Sequence, residues 1–377
     1  MFNKALCHAV RGKKEIVVIS PHCNSPDSSV LAGGIGTHVY EIYSSLPESL
    51  KPAILLLTCK SSDRPPGIDT VYIPLVNLPF FYLISFHITA LGYLLIRNRG
   101  LKAGAVHVHY MEMALLPALL TLLLGINIVV TFHGYLDYNK YPVFMRPVMR
   151  LTWKVLEYCR AGVVVLSGDS YTYHKKLCST ENVRLDVVGN GFIGRQVVEK
   201  IRETKRDHKQ DSRVIIFTGR LSPEKNVKEL INAFIKLEDP EYELWIVGDG
   251  PERARLESQA GGSEGGGKIK FWGWQPRSEV YRLLSEADIY VLPSIFEGVP
   301  IALLEAYSFG LKCVCVRNPF TETIPNITLL ASAGWQEIKS KIVTAAESEA
   351  EPDMDFVSQM SWGNAAKCLE KVYQKIM

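Results

Sequence analysis

Two glutamates eight residues apart, Glu297 and Glu305, bracket the segment Pro293-Ser294-Ile-Phe-Glu297-Gly298-Val299-Pro300-Ile301-Ala-Leu-Leu-Glu305-Ala306. Pro300 suits the first turn of a helix. Glu297 is therefore expected on a loop and Glu305 inside the helix, its side chain leaning back toward the helix start. Carboxylates so placed suit the vicinal hydroxyls of a sugar or ribose, and the free N–H groups near Val299 to Ala302 suit phosphate or sugar oxygens. Opposite charge comes from Gly219-Arg220-Leu-Ser-Pro-Glu224-Lys225. An Arg fork and a Lys point charge converging beside one strand end suit a diphosphate. Gly33-Gly34-Ile-Gly36 lies between a strand pattern and a helix pattern, where backbone can approach a phosphate. Its spacing is not that of a dinucleotide fingerprint. His107 and His109 alternate along Val106-His-Val-His109, and His133 ends an apolar run.

These residues are positioned by a repeated grammar of short apolar strands and helix-length segments. Strands are expected at 15–20, 53–58, 70–73, 105–109, 126–133 and 162–167, then at 214–218, 242–247, 268–272, 289–292 and 313–317. Alternating strand and helix implies doubly wound parallel sheets. The expected division is a first α/β domain over 1–190, a charged connection over 191–213, a second α/β domain over 214–354, and a helical tail over 355–377 that packs back toward the first domain. A chain of 377 residues is long enough for this. Its 47% hydrophobic and 21% charged content excludes disorder and coiled coil. Forty-two basic against 39 acidic residues give no sign of a nucleic-acid partner. Eight cysteines without CxxC spacing read as reduced thiols, and no DxD cluster near a strand end announces a metal.

Two nineteen-residue stretches, Leu78–Ile96 and Met113–Thr131, carry no formal charge. Pro117 and Gly125 divide the second into a helix and a strand, so both are expected to be packed segments and not membrane spans. Met1–Lys14 has no apolar core followed by a cleavage site, which predicts a cytoplasmic protein. Arg146, Arg150 and Lys154, four apart, share one broad face of a helix over Met145–Tyr158. With the basic residues that close the Leu78–Ile96 stretch, they suit an anionic membrane surface on its inner face.

In their order along the chain, these motifs resemble one family. Gly33-Gly34-x-Gly36, Val106-His-Val-His109, Thr131-x-His133-Gly134 and Gly189-Asn190-Gly191 stand in the first half. Gly219-Arg220, Glu224-Lys225, Gly248-Asp-Gly-Pro251, Phe271-x-Gly273, Pro293-Ser294 and the Glu297-x7-Glu305 pair stand in the second. The chain is similar to retaining, nucleotide-sugar-dependent glycosyltransferases of family 4, which have the GT-B fold and build cell-surface polysaccharides. The resemblance implies two Rossmann-like domains facing a cleft, a nucleoside-diphosphate sugar held mainly by the second, and a glycan or lipid-linked acceptor on the side of the first.

It further implies that Arg220 and Lys225 hold the diphosphate and Glu305 the ribose. Glu297 and the backbone of Gly298, Val299, Pro300 and Ile301 hold the donor sugar. Gly219 opens the phosphate loop, and Trp274 and Gln275 lie where the base is read. Gly34 and Gly36 let the first-domain loop approach the phosphates. His133 sits near the anomeric centre, and His109 and Gly134 line the acceptor side. No cofactor or metal is implied. Arg317-Asn-Pro-Phe-Thr-Glu322 departs from the family's Gly-Gly-x-x-Glu stretch, leaving backbone amides of Asn318 to Thr321 as its substitute. The competing readings are a GT-B sugar-nucleotide epimerase and a catalytically silent subunit that scaffolds a partner transferase.

Overall fold

In the computed structural model, residues 15–23, 34–59, 63–73, 82–97, 103–134, 143, 145–177, 182–192, 213–262, 266–295 and 297–377 are described. The chain divides into two compact units: Met1–Asn190 with Trp362–Met377, and Gly191–Ser361. Each has its own parallel sheet.

The first unit runs β1 (Glu15–Ile19), α1 (Gly34–Ser44), β2 (Ile54–Cys59), β3 (Asp69–Ile73), α2 (Tyr82–Arg97), β4 (Ala103–Val108), α3 (Leu115–Leu124), β5 (Asn127–Phe132), α4 (Met145–Tyr158), β6 (Gly162–Val165), α5 (Gly168–Leu177) and β7 (Arg184–Val187). Strand order is β3-β2-β1-β4-β5-β6-β7. Val17 pairs with Leu55 on one side and Val106 on the other. Such near-continuous apolar strands are what a sheet covered on both faces requires. Val17, Ile19, Leu55, Val106, Val130 and Trp153 belong to its core.

The second unit runs β8 (Arg213–Thr218), α6 (Val227–Ile235), β9 (Tyr242–Val247), α7 (Arg253–Gly261), β10 (Ile269–Gly273), α8 (Arg277–Glu286), β11 (Ile289–Leu292), α9 (Ile301–Ser308), β12 (Lys312–Val316), β13 (Thr328–Leu330), α10 (Trp335–Glu347) and α11 (Met354–Gln359). The sheet order is β10-β9-β8-β11-β12-β13. In both sheets the strand order reverses beside the first strand. That leaves a crevice at the carboxyl edge, between β1 and β4 and between β8 and β11, where ligands of doubly wound sheets bind. Phe217, Trp245, Tyr290 and Leu304 fill its core.

Two strands escape the sequence reading. β7 and β13 are short sheet-edge strands whose residues are mostly half-exposed, so they show no apolar run. The tail also differs from the single helix expected over 355–377. It breaks at Met360, and α11 stays with the second unit. Only α12 (Trp362–Ile376) belongs to the first. There Asn127 Nδ2 donates to Ile376 O at 2.7 Å and Lys375 pairs with Asp186 at 2.5 Å. Of the expected connection, residues 193–212 lie outside the described residues; Phe192 N donates to Met360 O at 3.0 Å within the second unit.

The Met113–Thr131 stretch resolves into α3 and β5, separated by Gly125 in the left-handed region at φ 64°. Pro117 lies inside the first turn of α3, where its missing N–H costs nothing. No described helix is long and apolar enough to cross a membrane. Cys159, Cys313, Cys315 and Cys368 form no disulfide among the described residues.

Candidate active site

In the second unit, the loops after β8, β9 and β11 are laced together. A Cβ at Gly248 would stand 1.9 Å from Gly219 O, and one at Gly250 2.3 Å from Leu221 O, so both positions require glycine. Leu221 N donates to Asp249 O at 2.9 Å, and Ile295 N to Glu224 O at 2.8 Å. Asn226, left-handed at φ 56°, donates from its amide to Pro293 O and Ala333 O. This lacing fixes two sequence-selected loops, 219–226 and 293–297, against each other.

Arg220 is exposed, and its side chain makes no hydrogen bond among the described residues. Lys225 Nζ donates to Glu297 Oε1 at 2.5 Å, with side chains 24% and 15% exposed. The ammonium and carboxylate selected separately from sequence are thus one ion pair, spanning the ends of β8 and β11. Ser294, beside them, is 1% exposed, and its hydroxyl has no partner among the described residues. Such an orphaned buried hydroxyl is costly unless something else meets it.

Glu305 is the fifth residue of α9. Arg277 Nη2 and the Tyr281 hydroxyl both donate to its Oε1, each at 3.0 Å. Arg277 Nε also meets the Tyr281 hydroxyl. Burial holds the Tyr281 phenol far above its ordinary range, so it remains a donor. Arg277 and Tyr281 were missed in the sequence. Their i, i+4 spacing just after Gln275-Pro276 was the available signal. Trp274 and Gln275 are half-buried after β10, with Gln275 Nε2 donating to Trp272 O at 2.7 Å. Gly298 and Val299 lead to Pro300, which caps α9 without a side-chain bond; Ile301 begins the helix, whose first N–H groups have no intrahelical acceptor.

One expectation is narrowed here. The amides of Asn318 and Thr321 are already used inside their own turn, donating to Thr321 Oγ1 and Asn318 Oδ1 at 2.8 Å each. They cannot replace the missing glycines as ligand donors.

In the first unit, α1 begins at Gly34 and Gly36 lies in its first turn; Gly33 lies outside the described residues. His109 follows β4 and His133 follows β5, so both stand at the carboxyl edge of the sheet. They join a buried polar cluster. Thr131 Oγ1 lies 2.7 Å from His107 Nε2, and His107 Nδ1 lies 2.7 Å from the Tyr373 hydroxyl. Tyr43 OH contacts Tyr373 OH at 2.9 Å and His109 Nε2 at 3.0 Å. His109 Nδ1 then lies 3.3 Å from His133 Nε2. His38 Nδ1 donates to Asn190 Oδ1 at 2.7 Å, and its ring stands edge-on to His133 and Trp362.

Burial holds all four rings neutral. His38 is pushed down to about 4 and His107 to about 3, while His109 and His133 fall well below the usual imidazole range. His109, 1% exposed, supports His133 and cannot line an open acceptor surface as expected. His133 and Gly134 are half-buried, and a Cβ on Gly134 would meet open space. His38, His109 and His133 each bring one ring nitrogen within 4.8 Å of the others, a spacing that could hold a metal. Within the cluster, His109 and His133 already face each other, and Asn190 takes the outer nitrogen of His38. Arg150 and Lys154 are exposed on α4, whereas Arg146 is half-buried.

Two parallel Rossmann-like sheets, each with charged or titratable groups at its switch point, make up a GT-B architecture. Comparison with known proteins agrees. Residues 32–192 match the profile "Glycosyltransferase Family 4" and residues 198–354 match "Glycosyl transferases group 1". The chain belongs to the family 4-type glycosyltransferases of the GT-B fold. It is 28% identical over 228 residues to an Escherichia coli UDP-Gal:alpha-D-GlcNAc-diphosphoundecaprenol alpha-1,3-galactosyltransferase, covering 56% of this chain and 57% of that protein. It is 27% identical over 222 residues to the putative teichuronic acid biosynthesis glycosyltransferase TuaC of Bacillus subtilis, covering 58% and 54%. The chain thus spans about half the length of the curated relatives it matches. In fold it is similar to Anabaena HepE crystallised with UDP, with a TM-score of 0.68 and 16% identity over 97% of this chain and 98% of that one.

Proposed function

We propose that this protein moves a sugar, with retained anomeric configuration, from a nucleoside diphosphate to a glycan or lipid-linked acceptor in cell-surface polysaccharide assembly. The observation that carries the proposal is the Lys225–Glu297 pair beside exposed Arg220, at the crevice between β8 and β11.

Cleaving a sugar–diphosphate bond leaves an anion on the phosphate and a cation-like sugar. Arg220 and Lys225 meet the anion electrostatically, and Glu297 holds the lysine in position until a donor arrives. Glu305, fixed by Arg277 and Tyr281, accepts from the ribose hydroxyls. The amides that open α9 meet donor oxygens, and Ser294 is a hydroxyl in want of a partner beside them. Retention follows when the acceptor hydroxyl attacks from the face the phosphate leaves, passing its proton to a phosphate oxygen. The charge on the leaving group is balanced by side chains, so the proposed reaction needs no metal and no cofactor. The name of the Escherichia coli relative supports a UDP-sugar donor and a diphospholipid acceptor.

The test is a screen of UDP-, GDP- and ADP-sugars for nucleoside diphosphate release, with and without EDTA and with a lipid-diphosphate acceptor. Acceptor-dependent release that persists in EDTA is expected. A new sugar nucleotide without release would establish the epimerase reading, and inertness toward every donor the silent subunit. Activity lost in EDTA and restored by a divalent ion would refute the metal-free mechanism.

A further inference from the structure

We propose that α3 and α4 form a docking face for an anionic bilayer, with the leucines of α3 entering the acyl boundary and the cations of α4 gripping headgroups. The leucines carry the inference. α3, Leu-Leu-Pro-Ala-Leu-Leu-Thr-Leu-Leu-Leu, buries its small side, Pro117, Ala118 and Thr121. It turns Leu116, Leu119 and Leu123 outward. Those three positions fall on one stripe of a helix. Leu123 is 82% exposed, and Leu122 and Leu124 flank the stripe, also exposed. A surface run of this kind marks an interaction site and not ordinary surface.

The surroundings identify the partner. α3 packs against both α2 and α4. α2 adds exposed Ile88 and Leu95, and α4 adds exposed Val148, Leu151 and Tyr158. Around the α4 helix axis, Leu151 and Tyr158 lie on one flank, and Arg150 and Lys154 on the adjoining one. The sequences of α2 and α3 hold no Asp or Glu, and α4 holds only Glu157, which accepts from Trp153 Nε1 at 2.9 Å. Apolar side chains bordered by cations and nearly free of carboxylates complement an anionic lipid surface. A ten-residue helix spans about 15 Å, too short to cross a bilayer and suited to lie in its interface. The leucine stripe is visible only once α3 is seen to face outward.

Flotation of the full chain with phosphatidylglycerol-containing vesicles tests this without donor or acceptor, so its outcome is independent of turnover. The wild type should float at low salt, and less at 0.5 M salt, as roughly expected when screening shortens to a few ångströms. Leu123→Glu, and separately Leu119→Ser with Leu123→Ser, should each lower vesicle partition at least ~10-fold, because a leucine's burial is lost. Arg150→Glu with Lys154→Glu should lower it a further ~10–30-fold. Unchanged melting temperatures establish that the variants are folded. A wild type that ignores anionic vesicles overturns the proposal. So does equal binding to zwitterionic vesicles, wild-type flotation of both leucine variants, or a vesicle-indifferent dimer that Leu123→Glu dissociates.

Discussion

Removing the Glu305 carboxylate should do two separable things. Its Oε1 accepts from Arg277 and Tyr281, and the Arg277 and Glu305 side chains are only 15% and 14% exposed. Glu305→Ala leaves a nearly buried guanidinium without its partner charge. Breaking a fully buried pair costs ~3–5 kcal/mol, and the remaining exposure lowers this to ~2–3 kcal/mol. At ~2–4 °C per kcal/mol for a unit of this size, the second unit should melt roughly 5–10 °C lower. Glu305→Gln keeps an acceptor and should lose only ~1 kcal/mol. Replacing both partners with apolar groups, Arg277→Met with Glu305→Leu, should restore most of the stability, since buried pairs are often matched by apolar packing. The ribose contact is lost in Glu305→Ala and in the double variant, and Glu305→Gln keeps only a neutral acceptor for it. The assay is paired scanning calorimetry and donor turnover on all four proteins. Turnover should stay low in the double variant after its melting temperature recovers. Recovery of both together would refute the ligand role of Glu305, and a wild-type melting temperature for Glu305→Ala would refute the structural one.

Lys225→Ala should lower kcat/KM by ~2–5 kcal/mol of transition-state stabilisation, as for a lost partly buried charge contact. Glu297→Gln should lower it less while weakening donor binding, and equal effects would contradict the positioning role given to that carboxylate. The histidine cluster predicts acid lability. His38 titrates at about 4 in the fold against about 6.5 unfolded. The unfolded chain therefore binds more protons between those values, and stability complete above pH 6.5 is lost as pH falls toward 4. At pH 5 His38 alone accounts for about 2 kcal/mol, and the other three rings add in the same direction. Urea unfolding at pH 7.5 and 5 should show this loss, and His38→Gln should reduce it; a pH-independent midpoint would contradict the buried neutral rings.

Much of the fold could be read because parallel strands covered on both faces are bare apolar runs, as in Ile16–Ile19 or Val214–Thr218. β7 and β13 could not, because half-exposed edge strands such as Arg184–Val187 lack that run. The second-unit site was readable in its own loops. Arg220, Lys225, Glu297 and Glu305 come from two short segments, and charged types at strand ends stand out. What holds them was hidden: Arg277 lies 28 residues from Glu305. The first-unit cluster was harder still. His107 looked like an ordinary strand histidine until Tyr43 and Tyr373 arrived, the latter 266 positions away. Alternation along a strand says which side a ring faces and not what it meets. The tail was read as one helix because nothing in its periodicity marks the break at Met360.

The return of α12 to the first unit also has a meaning for synthesis. Residues 191–361 are one contiguous stretch, made before 362–376. The first sheet, made earlier, must wait longer. Until α12 arrives, His107 and Tyr43 lack the Tyr373 hydroxyl, Asn127 lacks the Ile376 carbonyl, and Arg184 lacks that of Lys375. Domains otherwise mature in the order they are made. Here the segment made first is the one finished last, and a chain ending at Ser361 would carry every residue of the second unit joined to an unfinished first one.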